Sequence, residues 1–451
     1  LVVKALTTQH SALKIQIWGA KFVGVKLGIL GLGTVGTGTV QLLQDAVGRN
    51  PLLQEVEIYR VGVRSLDKPR DVKLPQSVVT TDLAAIVNDP AVDIVVELMG
   101  GLEPARSLIL QAIKNGKHIV TANKAAIARF GAEIFNAANE AGVYVMLEAA
   151  VGGGIPVIQP LKQALSVNRI HTVTGIVNGT TNYILTRMQT EGSDFGDVLA
   201  DAQRLGYAEA DPTADIDGLD AADKIAILAS LGFGGRIHLE DVYCEGIRQV
   251  SKTDITYAEK LGFVIKLLAI AKSQGNNHPG LSVRVHPTFV PKSHPLASIN
   301  GVYNAILVEG EPIGQVMFFG PGAGAGATAS AVTSDILSLV AALESNTAVP
   351  NPLLTCRHED YCQITPVSQL LTRFYARFLT KDHPGVIGKL GTCFGNYGVS
   401  LESVVQTGFQ GALAEIVVVT HDVKEGDFRQ ALDEIRHLEA IDSIASILRV
   451  L

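Results

Sequence analysis

Between Gly206 and Lys224 the chain reads Gly206-Tyr207-Ala208-Glu209-Ala210-Asp211-Pro212 and then carries Asp215, Asp217, Asp220 and Lys224. Carboxylates at this density can hold an ammonium group, and a lysine among them can move a proton or stabilise an oxyanion. From Gly218 the apolar Leu219, Ala222, Ile225, Ala226, Ala229 and Leu231 recur at helical spacing. Asp220 and Lys224 therefore fall at i and i+4, on one side of that helix. Taken alone, such a pair is most often a surface ion pair that contributes little to stability. What gives it a second meaning is a nucleotide site and another lysine elsewhere in the chain.

The nucleotide site is read from Val23-Gly24-Val25-Lys26-Leu27-Gly28-Ile29-Leu30, a strand-like run followed directly by Gly31-Leu32-Gly33-Thr34-Val35-Gly36. Gly31 permits the tight turn, Gly33 lets backbone approach a pyrophosphate, and Gly36 allows close helix packing, with the helix N-terminus presenting free N–H groups to phosphate. Thr39 to Val47 continues as helix, and Glu55 to Val63 reads as the second strand. At the end of that strand, where an NAD site usually carries an acid for the ribose hydroxyls, this chain has Arg64-Ser65. Arginine there suits a 2′-phosphate, so NADP is the expected cofactor, with NAD allowed; a solvated basic loop with Lys68 and Arg70 is the equal alternative. Further strand-like runs at Asp93 to Leu98, His118 to Val120 and Gly142 to Leu147 alternate with helical segments, which argues for a parallel sheet covered on both faces. Lys124 follows the His118 to Val120 strand, and ligands in such sheets gather at the carboxyl ends of strands. A lysine at a strand end is more often merely exposed, so its weight comes from agreement with Lys224.

The second half supplies the elements that must position these groups. Arg169 to Val177, Ser282 to Val290 and Asn304 to Val308 read as strands of an open sheet. Asp197 to Arg204, Leu219 to Leu231 and Ala258 to Lys272 read as helices around it. Gly320-Pro321-Gly322-Ala323-Gly324-Ala325-Gly326-Ala327-Thr328-Ala329-Ser330 lacks the ending of a Walker-type phosphate loop, and Thr328 or Ser330 can cap a helix running to Leu343. Glu344 to Gln369 is rich in proline and polar residues and reads as a linker. After it the order is βαββαβ, with strands at Phe374 to Leu379, Val399 to Gln406, Leu413 to Thr420 and Ile444 to Leu451, and helices at Pro384 to Tyr397 and Asp427 to Leu438.

A chain of 451 residues corresponds to about three domains. With 47% hydrophobic and 18% charged residues it can bury a core. A net charge of -7 without a basic stripe argues against a nucleic-acid partner. The four cysteines, Cys244, Cys356, Cys362 and Cys393, lack zinc-ligand spacing and make no disulfide framework, which fits a reducing, cytoplasmic setting. Pro312 to Ser334 is uncharged but broken by proline and glycine, so no membrane span is expected. Residues 1–24 carry Lys4, Lys14 and Lys21 but no acid or arginine, and read as an N-terminal extension rather than a transit peptide.

Thr121-Ala122-Asn123-Lys124, Glu148-Ala149-Ala150-Val151-Gly152-Gly153-Gly154-Ile155-Pro156, Asn178-Gly179-Thr180-Thr181-Asn182-Tyr183-Ile184-Leu185 and the carboxylate cluster, collinear from about Val25 to Leu343, closely resemble homoserine dehydrogenase. The resemblance implies NAD(P)(H)-dependent interconversion of L-homoserine and L-aspartate 4-semialdehyde, on the route to threonine, methionine and isoleucine. It implies Lys224 as the catalytic lysine, Lys124 as its partner near the cofactor, Glu209 for the substrate ammonium and Asp220 beside the catalytic lysine. Tyr207, Asp215 and Thr180 fall in substrate-lining segments. Glu148, Val151, Gly153 and Ile155 match a site for a monovalent cation such as sodium, and Gly322 returns near the nicotinamide. Phe374-Tyr375-Ala376-Arg377-Phe378-Leu379 with Asp382-His383-Pro384-Gly385-Val386 resembles an ACT domain, which implies feedback control with threonine as effector; an ACT fold used only for assembly is the alternative.

The expected fold is α/β in class. After the extension come a Rossmann-type domain over 25–150, an α+β catalytic and dimerisation domain over 151–343, a linker over 344–370 and a ferredoxin-like ACT domain over 371–451. A homodimer or homotetramer is implied by resemblance alone. Two rival readings remain at this stage. Aspartate-semialdehyde dehydrogenase needs a nucleophilic cysteine, and none precedes Cys244. A non-catalytic nucleotide and amino-acid sensor would have no need of two lysines.

Overall fold

β1 (Val25–Leu30) is apolar and β-branched, as a strand buried on both faces must be, and it lies at the middle of a parallel sheet. Its companions are β2 (Val56–Gly62), β3 (Val79–Thr80), β4 (Ile94–Glu97), β5 (His118–Thr121) and β6 (Val145–Met146), in the order β3-β2-β1-β4-β5-β6. The direction of winding reverses between β1 and β4, and that reversal opens a crevice at the carboxyl ends of the strands. The computed structural model describes residues 24–274, 280–345 and 350–451, the side chain of Thr407 excepted. Apart from Gly24, the expected N-terminal extension lies outside the described residues.

The first helix begins at Thr34 and ends at Gln44, so it starts inside the glycine motif rather than at Thr39. Its N-terminus therefore faces the turn itself. A second helix, Ala325–Glu344, crosses back from the far half of the chain to pack on it; a side chain at Gly38 would meet the Ala325 carbonyl at 2.8 Å. This helix is apolar and long enough to cross a membrane, yet Val332, Ile336, Leu339 and Val340 are spent in the core under the sheet. Gly324, at φ +117°, starts it, which places Thr328 and Ser330 inside the helix rather than at its cap.

The second sheet has the order β12-β11-β7-β9-β10-β17-β13-β15-β14. Its first part consists of β7 (Arg169–Ile176), β9 (Phe263–Ser273), β10 (Leu281–Pro291), β11 (Tyr303–Glu311) and β12 (Gly314–Pro321), with the short β8 (Tyr243–Cys244) beside β10. The expected helix from Ala258 to Lys272 is corrected here. The chain forms a helix over Lys252–Lys260, turns at Gly262 with φ +85°, and becomes β9 between β7 and β10. A short apolar run buried on both faces carries no period that separates strand from helix. Gly262 was the available breaker signal.

The C-terminal part forms β13 (Leu371–Lys381), β14 (Leu401–Gln410), β15 (Leu413–Thr420), the short β16 (Val423–Lys424) and β17 (Ile441–Val450), with helices Val386–Asn396 and Glu425–Ile435. This βαββαβ unit adds its edge to the first part through parallel pairing of β10 with β17, Thr288 opposite Arg449 and Phe289 opposite Val450. Buried charges fasten the join. Asp254 caps the Lys252–Lys260 helix by accepting from Ser251, and its other oxygen accepts from Arg377 Nε at 2.9 Å and Tyr375 Oη at 3.1 Å. Arg377 also reaches Glu415 at 3.1 Å, and Glu415 accepts from Tyr257 Oη at 2.9 Å. The segment entering this unit is stitched to the rest of the chain: the Arg236 N–H donates to the Asp360 carbonyl at 2.8 Å and the Leu281 N–H to that of Gln363 at 2.9 Å.

Asp254 is fully buried and Arg377 nearly so, and removing one partner of a buried pair strands the other charge. Asp254→Ala should lower unfolding free energy by about 3–5 kcal/mol and raise hydrogen exchange along β13 and β17. Urea denaturation with exchange mass spectrometry checks this; a loss below about 1 kcal/mol would show that the join does not depend on the pair.

Candidate active site

Gly218, held at φ +83°, turns the chain into the helix Leu219–Phe233, and a side chain there would press on Cys244 Sγ and Val285 at 3.1 Å. The helix is buried almost all round, from Ala221 to Ala229. Asp220 and Lys224 are consequently inside the protein, each side chain 11% exposed, with Nζ 2.7 Å from Oδ2. The surface-pair reading fails on burial. Lys224 Nζ also donates to the Val177 carbonyl at 2.6 Å, at the end of β7.

Asp220 is shared. Its Oδ1 lies 3.1 Å from Lys124 Nζ, and its Oδ2 accepts from Asn178 Nδ2 at 2.9 Å. Burial opposes its charge, but the Lys224 and Lys124 ammonium groups and the hydrogen bonds from Lys224 and Asn178 hold its carboxyl well below the ordinary carboxylate range. For Lys124, burial pulls downward while Asp220, then Asp223 and Asp215, pull upward, and the net result is a raised pKa. Lys124 begins the helix Lys124–Ala141, whose N-cap is Asn123, so β5 ends and the lysine enters the crevice at once. One turn further on, Arg129 Nη1 meets Asp223 Oδ1 at 2.9 Å, giving the two helices a second ion pair.

Asn178 opens the Asn178–Leu185 motif, and its sequence position alone assigns it no role in the site. Its Oδ1 caps the helix Gly179–Glu191 by accepting from Thr181, while its Nδ2 bridges Asp220 and Asp215, the latter at 2.7 Å. A cap signal was legible in Asn followed by Gly-Thr-Thr; the bridge was not. Burial pushes the Asp215 carboxyl up, Asn178 draws it down and the Asp220 charge adds to the rise, leaving it raised.

These groups face a cavity of about 530 Å³ lined by Lys124, Thr180, Tyr207, Asp215, Asp220 and Lys224, together with Val35, Gly153 and Gly322. Thr180 Oγ1 donates to the Tyr207 carbonyl at 2.7 Å, fixing the loop at the rim. Glu209 is exposed on that loop and does not line the cavity; Gln203 ties its backbone by a bond to its carbonyl at 3.1 Å. Arg64 is exposed beyond β2, and Glu148, Val151 and Ile155 are buried beneath the cavity wall. Glu148 spends its carboxylate on the N–H groups of Val157, Ile158 and Gln159, and its own N–H donates to Asp335 Oδ2 at 2.7 Å.

Asn304, at the start of β11, belongs to no motif legible in the sequence. It is 1% exposed, lines the same cavity, and both its amide atoms lack a partner among the described residues. Any side chain at Gly322 would collide with it at 2.0 Å. A buried amide of this kind is satisfied by ligand or water.

The glycine motif fits a dinucleotide. A Cβ at Gly31, which holds φ +106°, would lie 2.8 Å from the Leu98 carbonyl, and one at Gly36 would lie 2.1 Å from that of Gly31. Gly33 and Thr34 are exposed, Leu32 and Val35 are half-buried, and nothing lies within 4 Å of the place a Gly33 side chain would fill. That open backbone at a helix N-terminus is what a pyrophosphate needs.

Family models match three stretches of the chain: homoserine dehydrogenase, NAD binding domain, over 31–148; homoserine dehydrogenase over 156–337; and ACT domain over 374–440. A homoserine dehydrogenase of Synechocystis sp. is 67% identical over 95% of this chain and 99% of its own length. One of Bacillus subtilis is 40% identical over 94% of this chain and 98% of its own. The crystal structure of a homoserine dehydrogenase from Thiobacillus denitrificans superposes with a TM-score of 0.86 at 40% identity, covering 95% of this chain and 98% of that one. A hyperthermophilic archaeal homoserine dehydrogenase in complex with NADPH gives a TM-score of 0.58 at 26% identity over 70% of this chain and 97% of that one.

Since the raised pKa of Lys124 is owed chiefly to Asp220, Asp220→Asn should make Lys124 lose its proton at lower pH. NMR titration of ¹³C-methylated lysines follows this directly. An unmoved midpoint would mean that Asp220 does not hold the Lys124 charge.

Proposed function

Because the chain belongs to the homoserine dehydrogenase family, we infer that its two buried-site lysines divide the work of an NAD(P)-dependent interconversion of L-aspartate 4-semialdehyde and L-homoserine. The observation that carries this reading is the single carboxylate, Asp220, held between Lys224 and Lys124 on the wall of a cavity that reaches the glycine turn. A bound dihydronicotinamide supplies the hydride that reduces the aldehyde carbon. Lys224 stabilises the oxygen as its negative charge grows and delivers the proton; in the oxidative direction, in its neutral form, it takes the hydroxyl proton. Lys124 adds a second positive charge near that oxygen. Asp220 orients both ammonium groups and offsets their repulsion. Thr180 and Tyr207 shape the rim, and Asp215, bridged to Asp220 by Asn178, lines the substrate side. Glu209, on the rim loop, is the proposed counter-charge for the substrate ammonium.

Gly31 to Gly36 hold the pyrophosphate, and Gly322, on the wall of the same cavity, belongs to the nicotinamide end. Arg64 at the end of β2 favours NADP over NAD by pairing with the 2′-phosphate. The buried turn through Glu148, Val151, Gly153 and Ile155 suits a monovalent cation such as sodium. Its backbone carbonyls are the donors, because the Glu148 carboxylate is already engaged, and burial with the Glu148 charge pushes the neighbouring Asp335 carboxyl up to about 8, toward its neutral form. At the ACT domain we propose threonine as the effector, and for the whole chain a homodimer or homotetramer in the cytoplasm, a reducing setting in keeping with its free cysteines.

Lys224→Ala should reduce kcat by orders of magnitude with NADPH affinity unchanged, as loss of a transition-state interaction does. NADPH oxidation with aspartate semialdehyde, beside a fluorescence titration of NADPH, measures both; near-normal turnover would remove Lys224 from the mechanism. Arg64→Ala should raise KM for NADPH about tenfold or more and leave KM for NADH in place. Equal changes for the two cofactors would assign Arg64 to the solvated loop instead.

A further inference from the structure

Arg284, on β10, is 7% exposed and has no carboxylate partner among the described residues. Its Nη1 donates to Ser282 Oγ at 2.7 Å and its Nε to His286 Nε2 at 3.2 Å. Both partners are neutral, since burial, then the charges of Arg449 and Arg284, push the His286 ring far down. The other interior arginines are answered: Arg377 by Asp254 and Glu415, Arg449 by Glu425 and Glu245. Burial, with the Arg449 charge adding to it and the Glu425 carboxylate opposing it, pushes the Arg284 guanidinium down to about 10. It nevertheless remains a cation at neutral pH.

This cation lines a cavity of about 360 Å³, separate from the one that holds Lys224. Val242, Ile364 and Leu370 give it apolar walls, and the exposed Glu240 and Asp241 stand at its edge. Cation within, acids at the mouth and aliphatic wall between are the complement of a small zwitterion. The cavity lies where the segment entering β13 crosses β8 and β10, so it touches the approach to the ACT unit as well as the catalytic sheet. It also has a short physical route to the active site. Tyr243 pairs with Arg284, and the adjoining Cys244 donates through Sγ to the Asp217 carbonyl at 3.3 Å and packs on Gly218, the turn that launches the helix of Asp220 and Lys224.

We propose that this cavity binds a free α-amino acid with a small aliphatic side chain, Arg284 taking the carboxylate and Glu240 with Asp241 the ammonium. Occupancy would bear on Gly218 and through it on the catalytic helix; that last consequence rests on the role given to Lys224 above, whereas binding itself does not. The site is also distinct from the loop Asp382 to Gly388, which borders a different cavity.

Calorimetry on the full chain with L-threonine, L-valine, L-isoleucine and acetate tests binding without recourse to turnover. At least one of the amino acids should bind and acetate should bind far more weakly. Arg284→Met should weaken the amino acid about 10- to 100-fold, the range for a charge-assisted contact, while Asp382→Asn in the other loop leaves it unchanged. If Arg284→Met does not fold, the doubly substituted Glu240→Gln, Asp241→Asn protein decides, because both side chains are exposed; it should lose about tenfold or more. Binding by none of the amino acids, equal binding of acetate, or affinity indifferent to these substitutions overturns the site. Unchanged turnover in the amino-acid complex overturns the route to Lys224 alone.

Discussion

A negative charge with two claimants organises this protein. Asp220 is buried, and a buried carboxylate persists only where cations and hydrogen bonds replace the water it has lost. Its partners come from three places in the chain: Lys224 from its own helix, Lys124 from the nucleotide-binding half and Asn178 from just past the end of β7. Satisfying one carboxylate therefore fixes the catalytic helix, the cofactor crevice and the Gly179–Glu191 helix relative to one another. The attraction at such distances is about 4 kcal/mol per pair at an effective dielectric near 20, and desolvation consumes much of it. Its main product is arrangement rather than stability.

The same device recurs at the other end of the molecule. Asp254 caps its own helix and receives Arg377 and Tyr375 of the C-terminal unit, while Arg449 links Glu425 of that unit to Glu245 beside β8. With β10 hydrogen-bonded to β17, the catalytic and ACT sheets are one continuous surface. A displacement of β17 is then a displacement of β10. Glu245 follows Cys244, which packs on Gly218, so one of the charges that dock the ACT unit adjoins the turn that leads into the Leu219–Phe233 helix.

Two buried polar groups in cavity walls stand out against this well-paired interior. Asn304 offers both halves of a buried amide to the active cavity, and Arg284 offers a guanidinium to the cavity beside β8. Neither residue belonged to a sequence motif. A buried amide without a partner among the described residues, as at Asn304, or a buried guanidinium bonded only to neutral groups, as at Arg284, is costly to keep, and its presence in a cavity wall directs attention to what enters the cavity.

Local chemistry was legible from the chain alone. The Gly31 to Gly36 turn follows from steric limits that act within a few residues, and the i, i+4 spacing of Asp220 and Lys224 follows from helix geometry. The βαββαβ order at the C-terminus was readable because its turns and apolar runs are short and distinct. Tertiary structure alone decided whether the Asp220–Lys224 pair was exposed, because burial depends on what packs around the helix. It also decided that Phe263–Ser273 is a strand between β7 and β10, since a largely apolar run buried on both faces has no period of its own and takes the conformation its neighbours can hydrogen-bond. It set Glu209 on the rim and brought Lys124 to Asp220 across the chain. Spacing along a sequence constrains only atoms joined by a few bonds; which distant charges meet is settled when burial leaves them no water to turn to.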